Sequence, residues 1–472
     1  MRIIRHFILI LIIAVSMASC IEDGFTTSPS DQPAFSTDTL KMGLLLTEEG
    51  SPTMRFTVYN RASKGLSISD IRLEGENAAL FRLNVDGLSG TGFSNVEIRA
   101  NDSIFVMVDA LLPATGSDLP VDINANIRFR TNGVDSHVTV NAQGQDVTRL
   151  RGISITSDTR FSPGKPYQIF DSLVVEPEAT LTLEAGTRLY FHDKAYMRVR
   201  GRLLCNGTAD APVDMTGDRT GNVVGDISFD IMSRQWGGLI FSETSKGNVI
   251  SHADIRNTWF GVIVSGDGST DTGNPALTLH NSRLHNSGDV VLLADHASIV
   301  ASGTEFAEGS YGLVVLNGGK HRLDHCTLAN YYLFTVIGGP ALQFGHLNAE
   351  SDDESGLPYT SAEITNTIIY GLGSDLSHGD LSGTEVYLRR CLLKSEGTDD
   401  DNFIDCIWNE DPLYYTIREE YIFDYRLKAD SPARGAADEA IALTMSGTDA
   451  YGTARAGALG AYETAGPDDT EN

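Results

Sequence analysis

Ala301-Ser-Gly303-Thr-Glu-Phe306 and Leu323-Asp-His325-Cys-Thr-Leu328 lie 22 residues apart and share one pattern. Apolar residues stand five apart, and a polar residue or glycine follows two after the first. The same pattern returns in Ile250-Ser-His252-Ala-Asp-Ile255, Leu279-His-Asn281-Ser-Arg-Leu284, Ile364-Thr-Asn366-Thr-Ile-Ile369 and Leu388-Arg-Arg390-Cys-Leu-Leu393. The last positions are 255, 284, 306, 328, 369 and 393, so the steps are 29, 22, 22, 41 and 24. A repeat near 22 with no helical period predicts coils that stack strand on strand, each adding about 4.8 Å and burying one rung of aliphatic side chains. The step of 41 leaves room for two coils or for one with an insertion. Further short apolar runs follow the fragments: Gly261-Val-Ile-Val264, Val290-Val-Leu-Leu293, Gly312-Leu-Val-Val315 and Phe334-Thr-Val-Ile337. The predicted fold class is all-β, a parallel β-helix over 148–463.

Outward from the repeat, the chain reads Leu181-Thr-Leu-Glu-Ala-Gly186, Gly201-Arg-Leu-Leu-Cys-Asn-Gly207 and Trp236-Gly237-Gly238-Leu-Ile-Phe241 on one side. On the other it reads Tyr425-Arg-Leu-Lys-Ala-Asp-Ser431-Pro432 and Leu459-Gly460-Ala461-Tyr462-Glu463. These stretches resemble the two ends of bacterial right-handed β-helix proteins of the pectate-lyase-like superfamily. The resemblance covers about 310 residues. It implies a right-handed solenoid closed by a C-terminal cap, and it leaves activity open, because that superfamily holds lyases, hydrolases and plain binders.

Before the repeat, Met54-Arg-Phe-Thr-Val-Tyr59, Leu66-Ser-Ile-Ser-Asp-Ile71, Ser103-Ile-Phe-Val-Met-Val108 and Asn126-Ile-Arg-Phe-Arg-Thr131 alternate apolar and polar residues between turn residues. They predict a small β-sandwich over 37–147. Phe81-Arg-Leu-Asn-Val-Asp86-Gly and Thr131-Asn132-Gly133 resemble an Ig-like module found at the front of bacterial surface lipoproteins. Residues 20–36, rich in Thr, Ser, Asp and Pro, are expected to be a flexible tether, and 464–472 a disordered tail.

The first 19 residues read as a targeting segment: Arg2 and Arg5, an apolar run from Phe7 to Val15, then Met17-Ala18-Ser19-Cys20. That ending resembles a bacterial lipobox, which implies a lipoprotein signal peptide over 1–19 and lipidation of Cys20. Ile21-Glu22-Asp23-Gly24 resembles a surface-export signal, and an ordinary linker start reads equally well. The expected location is the bacterial outer membrane, facing outward, with the lipid as the membrane anchor. A net charge of -28 opposes nucleic-acid binding. Cys205, Cys326, Cys391 and Cys406 are too sparse for a disulfide scaffold, and small buried residues or a Cys391–Cys406 pair both fit.

Candidate chemistry is sparse. Leu323-Asp324-His325-Cys326 is similar to the pectate-lyase strand that carries a Ca²⁺-binding aspartate. Register instead places His325 in a ladder with His252, Asn281, Gly303, Asn366 and Arg390, so we read it as architecture. Asn257, Asn286 and Asn330 form a second such ladder. Asp352-Asp353-Glu354 and Asp399-Asp400-Asp401 are the densest acids and match no Ca²⁺ loop, so no cofactor or catalytic residue is assigned, although Ca²⁺ is compatible with the composition. Tyr331 and Tyr332 are the candidate glycan contacts, because sugar rings stack on exposed aromatic faces. Trp408, Tyr414, Tyr415, Tyr421 and Tyr425 are expected to fill the cap. The expected function is binding of extracellular polymer, foremost polysaccharide, without catalysis. A polysaccharide lyase or glycoside hydrolase is the alternative, and an adhesion or structural protein a further one.

Overall fold

A computed structural model of the 472-residue chain describes residues 24–224, 227–347, 357–441 and 447–463. Cys20 with the segment before it, Asp352-Asp353-Glu354 and the tail 464–472 lie outside the described residues. The chain divides into two compact units after Asp146.

The first unit holds two sheets of five and six strands around one core. Alternation decides which side chains enter it. Phe56 and Val58 of Met54–Tyr59 are buried, as are Ile104, Val106 and Val108 of Ser103–Ala110, while their neighbours face out. The expectation of a free tether is corrected for residues 24–36. Ala34–Phe35 pairs with Met54–Tyr59, and the Phe35 ring lies 4.8 Å from that of Phe129. Asn132 donates its amide hydrogens to the carbonyls of Ser28 and Asp31.

The second unit is a parallel β-helix. Ten strands from Thr159–Phe161 to Phe403–Ile404 form one parallel sheet, and eighteen more form a second parallel sheet that supplies two further faces of each coil. The repeat stacks in register. Ile255, Leu284, Phe306, Leu328, Ile369, Leu393 and Trp408 are successive partners in one column. Ile250, Leu279, Ala301, Leu323, Ile364, Leu388 and Phe403 form another. Leu328 pairs directly with Ile369, so the step of 41 is one coil with an insertion.

Between these columns the chain turns on one residue with left-handed backbone: His252, Asn281, Gly303, His325, Asn366, Arg390 and Asp405 all have φ between 45° and 59°. A single such residue rotates the strand direction, and short polar side chains and glycine tolerate that conformation best. At Gly238, φ is +135° and an added Cβ would sit 2.4 Å from the Gly261 carbonyl oxygen, so only glycine fits.

Two expectations are corrected here. Phe334-Thr-Val-Ile337 is not a strand: residues 331–341 form an irregular excursion with Val336 92% exposed, and the coil resumes at Leu342–Gly345. Leu342 and Phe344, not Phe334 and Val336, continue the buried alternation from Val314 and Leu316. Of the residues expected to fill the cap, Trp408 packs on the last coil of the core, 5.1 Å from Phe403, whereas Tyr414 and Tyr425 belong to a separate cluster outside it. Residues after Asn409 turn back along the outside of the large sheet as an arm. Tyr414, Tyr425, Leu427, Leu459 and Tyr462 pack there on the outward side chains of Ala307, Ala329, Ile368 and Leu392.

Candidate functional site

Outward-facing residues of the ten-stranded sheet build the first candidate surface. In Gly319–Asp324, Thr360–Thr365 and Val386–Arg389, alternation buries His321, Leu323, Ala362, Ile364, Val386 and Leu388. The opposite set faces solvent in register: Arg322 beside Glu363 beside Tyr387, and Lys320 beside Ser361. Together with Glu385, Arg389 and Thr272 they line a cleft of about 430 Å³. A second cleft of about 410 Å³ shares Lys320, Ser361 and Glu385 and adds Thr270 and Tyr359, which is 41% exposed. Charged partners fix the floor. Arg389 sits 5.2 Å over the Tyr387 ring and 3.8 Å from Glu363, while the Arg322 Nε donates to Asp324 at 2.9 Å. Burial pushes the Asp324 carboxyl up to about 6, although Arg322 opposes it. This arrangement offers hydroxyl-rich ligands donors, acceptors and one aromatic face, the usual means of fixing a sugar.

A second cluster lies on the outer face of the large sheet, ahead of the arm. One outward column reads Arg188, Asp214, Asp254, Arg283, Glu305, Thr327, Ile368 and Leu392. It is charged at its N-terminal end and becomes apolar where the arm covers it. Asp254 meets the Arg256 guanidinium at 3.1 Å, His285 Nε2 at 2.8 Å and Arg283 at 3.4 Å. Burial acts to raise the Asp254 carboxyl, but Arg256, His285 and Arg283 outweigh it and hold it well below the usual range. Asp214 is shifted up by burial and by the neighbouring Asp254 charge, with Arg256 at 3.8 Å giving only partial relief. His285 Nδ1 faces Asn286 Oδ1 at 2.6 Å, and the Asn286 amide donates to the Ile231 carbonyl, which fixes the orientation of the asparagine.

The candidate glycan contacts Tyr331 and Tyr332 are corrected by burial. Tyr332 is 3% exposed and its hydroxyl lies 2.6 Å from Ser233 Oγ. Tyr331 is half-buried within the arm's aromatic group, stacked on Tyr425 at 5.9 Å and edge-on to Tyr414 at 6.5 Å. Tyr332 is closed to solvent, and one face of Tyr331 is taken by Tyr425. Tyr387 and Tyr359 were missed; the alternation in Glu385-Val-Tyr-Leu-Arg389 carries the signal that Tyr387 points outward.

His325 stands in its ladder, with Asn366 donating to its Nε2 at 3.3 Å, and burial together with the Arg455 charge pushes its imidazole down to about 3. Asn281 makes the equivalent contact to His252 at 3.4 Å. Asp399 accepts hydrogen bonds from the Trp408 indole and the Cys406 amide, and Asp400 from the amides of Asn402 and Phe403, so these acids shape a turn. Among the described residues no group of three or more His, Cys, Asp or Glu side chains is arranged to hold a metal ion.

Comparison with models of known protein families finds no match, and none is found among curated proteins. Among solved structures, the chain is similar to the catalytic unit of a GH87 α-1,3-glucanase from Streptomyces thermodiastaticus, with 11% identity and a TM-score of 0.20 over 73% of this chain and 80% of that one. It is also similar to a protein of unknown function from Porphyromonas gingivalis, at 16% identity and a TM-score of 0.19; this covers 24% of the present chain and 46% of the other, under half its length. A family 123 glycoside hydrolase from Clostridium perfringens matches at 8% identity and a TM-score of 0.20, over 28% and 30% of the two chains. At these scores the likenesses carry no argument about activity. The fold rests on the strand register itself.

Proposed function

We propose that this chain is a lipid-anchored surface protein whose β-helix binds extracellular polysaccharide without cleaving it. The observation that carries the reading is the pair of adjoining open clefts, floored by Arg322, Glu363, Tyr387 and Arg389 and continued by Lys320 and Tyr359. Coils repeat along such a groove at about 4.8 Å, which suits an extended polymer better than a compact small molecule. The first unit, with its two sheets, serves in this reading as an Ig-like spacer between the acylated Cys20 and the binding surface. A glycan array with the full chain tests it. Binding that weakens at least about tenfold in Tyr387→Ala, with unfolding unchanged, supports the reading, and full binding in that variant overturns the placement of the site.

One observation favours a second reading, glycoside hydrolysis at the Asp214–Asp254 cluster. Two neighbouring carboxyls pushed in opposite directions are what a general acid and its ionised partner require. Release of reducing ends from a polysaccharide, abolished by both Asp214→Asn and Asp254→Asn, would replace the binding reading with this one. No product from any glycan the protein binds would remove it.

A further inference from the structure

The four described cysteines are unlinked, and three of them occupy the same step of the repeat, one residue after the left-handed corner. Cys326 follows His325, Cys391 follows Arg390, and Cys406 follows Asp405. Cys326 is separated from Cys391 by the coil that carries Thr367, whereas Cys391 and Cys406 belong to consecutive coils. The register holds through the corner: Leu388 pairs with Phe403 and Arg389 with Ile404 before it, and Leu392 with Ile407 and Leu393 with Trp408 after it. The Ile407 amide donates to the Cys391 carbonyl at 2.8 Å, so the two cysteines are stacked neighbours. Strands pair at about 4.8 Å, inside the range of about 4.4–6.8 Å between Cα atoms that a disulfide spans.

We propose that Cys391 and Cys406 form a disulfide that clasps the last coil of the β-helix to the one before it. Cys391 is buried and Cys406 half-buried, which sets the order of the reaction. The Cys406 thiol is drawn down by hydrogen bonding with Cys391, whereas burial holds the Cys391 thiol up. Cys406 is therefore the sulfur that first attacks an external disulfide. A mixed disulfide forms and one thiolate of the oxidant leaves. The Cys391 sulfur then attacks Cys406 Sγ and the second thiolate departs. Two cysteine protons are released, the pair loses two electrons, and the oxidant is reduced to two thiols. The bond closes a short loop at the point where the solenoid ends and the arm departs, and it requires an oxidising compartment, as an exported protein meets.

The test uses the full-length protein equilibrated with oxidised and reduced glutathione, alkylated, and mapped by non-reducing peptide mass spectrometry. The expected result is a Cys391–Cys406 peptide that vanishes in Cys391→Ser and in Cys406→Ser and persists in Cys326→Ser. Hydrogen exchange at 403–409 should quicken when the bond is reduced. Alkylation of both thiols after full oxidation in folded protein, or a crosslink that joins Cys326 or Cys205 instead, overturns the proposal. Because Ser can unsettle a buried site, near-native exchange in the two Ser variants under reducing conditions separates loss of the bond from loss of the fold.

Discussion

Asp214 and Asp254 are register partners on adjacent coils, yet the fold drives their carboxyls in opposite directions. The difference lies in who stands beyond each. Asp254 has cations on its own strand and on the next, Arg256, Arg283 and His285, whereas Asp214 reaches the same Arg256 nitrogen only at 3.8 Å. Removing Arg256 should therefore disturb Asp254 most, because that carboxylate is left largely buried with two partners in place of three. Arg256→Met is expected to lower stability by about 1.5–3 kcal/mol in denaturant unfolding, since Arg283 and His285 remain. A loss below about 1 kcal/mol would show that the cluster is solvated like an exposed ion pair.

The central column makes a packing prediction. Phe306 is fully buried between Leu284 and Leu328. Phe306→Ala is expected to cost about 3–5 kcal/mol, and Phe306→Leu much less, by chemical denaturation. Equal losses would mean that the column is loosely packed.

His325 and His321 set an acid-side dependence. Their imidazoles ordinarily titrate near 6.5, while in the fold burial pushes them down to about 3 and about 4. The unfolded chain therefore binds protons that the fold refuses, so their stability contribution is complete above about pH 6.5 and is lost as pH falls toward those values. Each histidine adds a slope of about 1.4 kcal/mol per pH unit inside the window. Asp324, raised to about 6, pulls the opposite way between pH 3.8 and 6, since there the fold holds the proton that the unfolded chain releases. His325→Asn should flatten the measured slope by one histidine's share while keeping the corner hydrogen bonds. An unchanged slope would show that His325 is protonated in the fold.

The arm is latched by tyrosine–carboxylate contacts. The Tyr462 hydroxyl donates to Glu305 Oε2 at 2.5 Å, and the Tyr425 hydroxyl to Glu308. Tyr462→Phe leaves a buried Glu305 oxygen without its donor, at a cost of about 1–3 kcal/mol. The loss should appear first as faster hydrogen exchange over 447–463, ahead of any change in the coils. Simultaneous loosening of both would place the latch inside the global unfolding unit.

Lipidation at Cys20 has its own measurement. Mass spectrometry of the mature N-terminus is expected to find acylated Cys20, and Cys20→Ala to release the protein from membranes. A mature chain that starts elsewhere without lipid would refute the anchor.

The solenoid was legible because its signal is local and repeated. Positions 255, 284, 306, 328, 369 and 393 name a column that stacks in that order. The corner ladder was legible for the same reason, since a positive φ favours Gly, Asn, Asp or His at a fixed offset from the aliphatic residues, with Arg390 the exception. What escaped was decided by distant partners. Phe334 and Val336 look like strand residues, but only the pairing of Leu342 and Phe344 with Val314 and Leu316 shows where the coil resumes. Tyr331 looks open in sequence until the arm, some 80 to 130 residues later, closes over it. The clefts depend on side chains from three neighbouring strands and on Thr270 and Thr272 of an earlier coil, and no single stretch contains enough of them to announce a site.

The backward course of the arm has a consequence for how the chain matures. In a plain solenoid each coil needs only its neighbours, so early coils are able to settle as they emerge. Here Arg455 reaches the Gly303 corner, Tyr462 meets Glu305, and the carbonyl of Asn366 waits for the amide of Gly460. The outer apolar side chains of Ala307, Ala329 and Ile368 therefore stay uncovered until the last residues arrive. Order of synthesis and order of completion are decoupled, and a chain cut short before Tyr425 would leave a strip of apolar sheet face open to other hydrophobic surfaces.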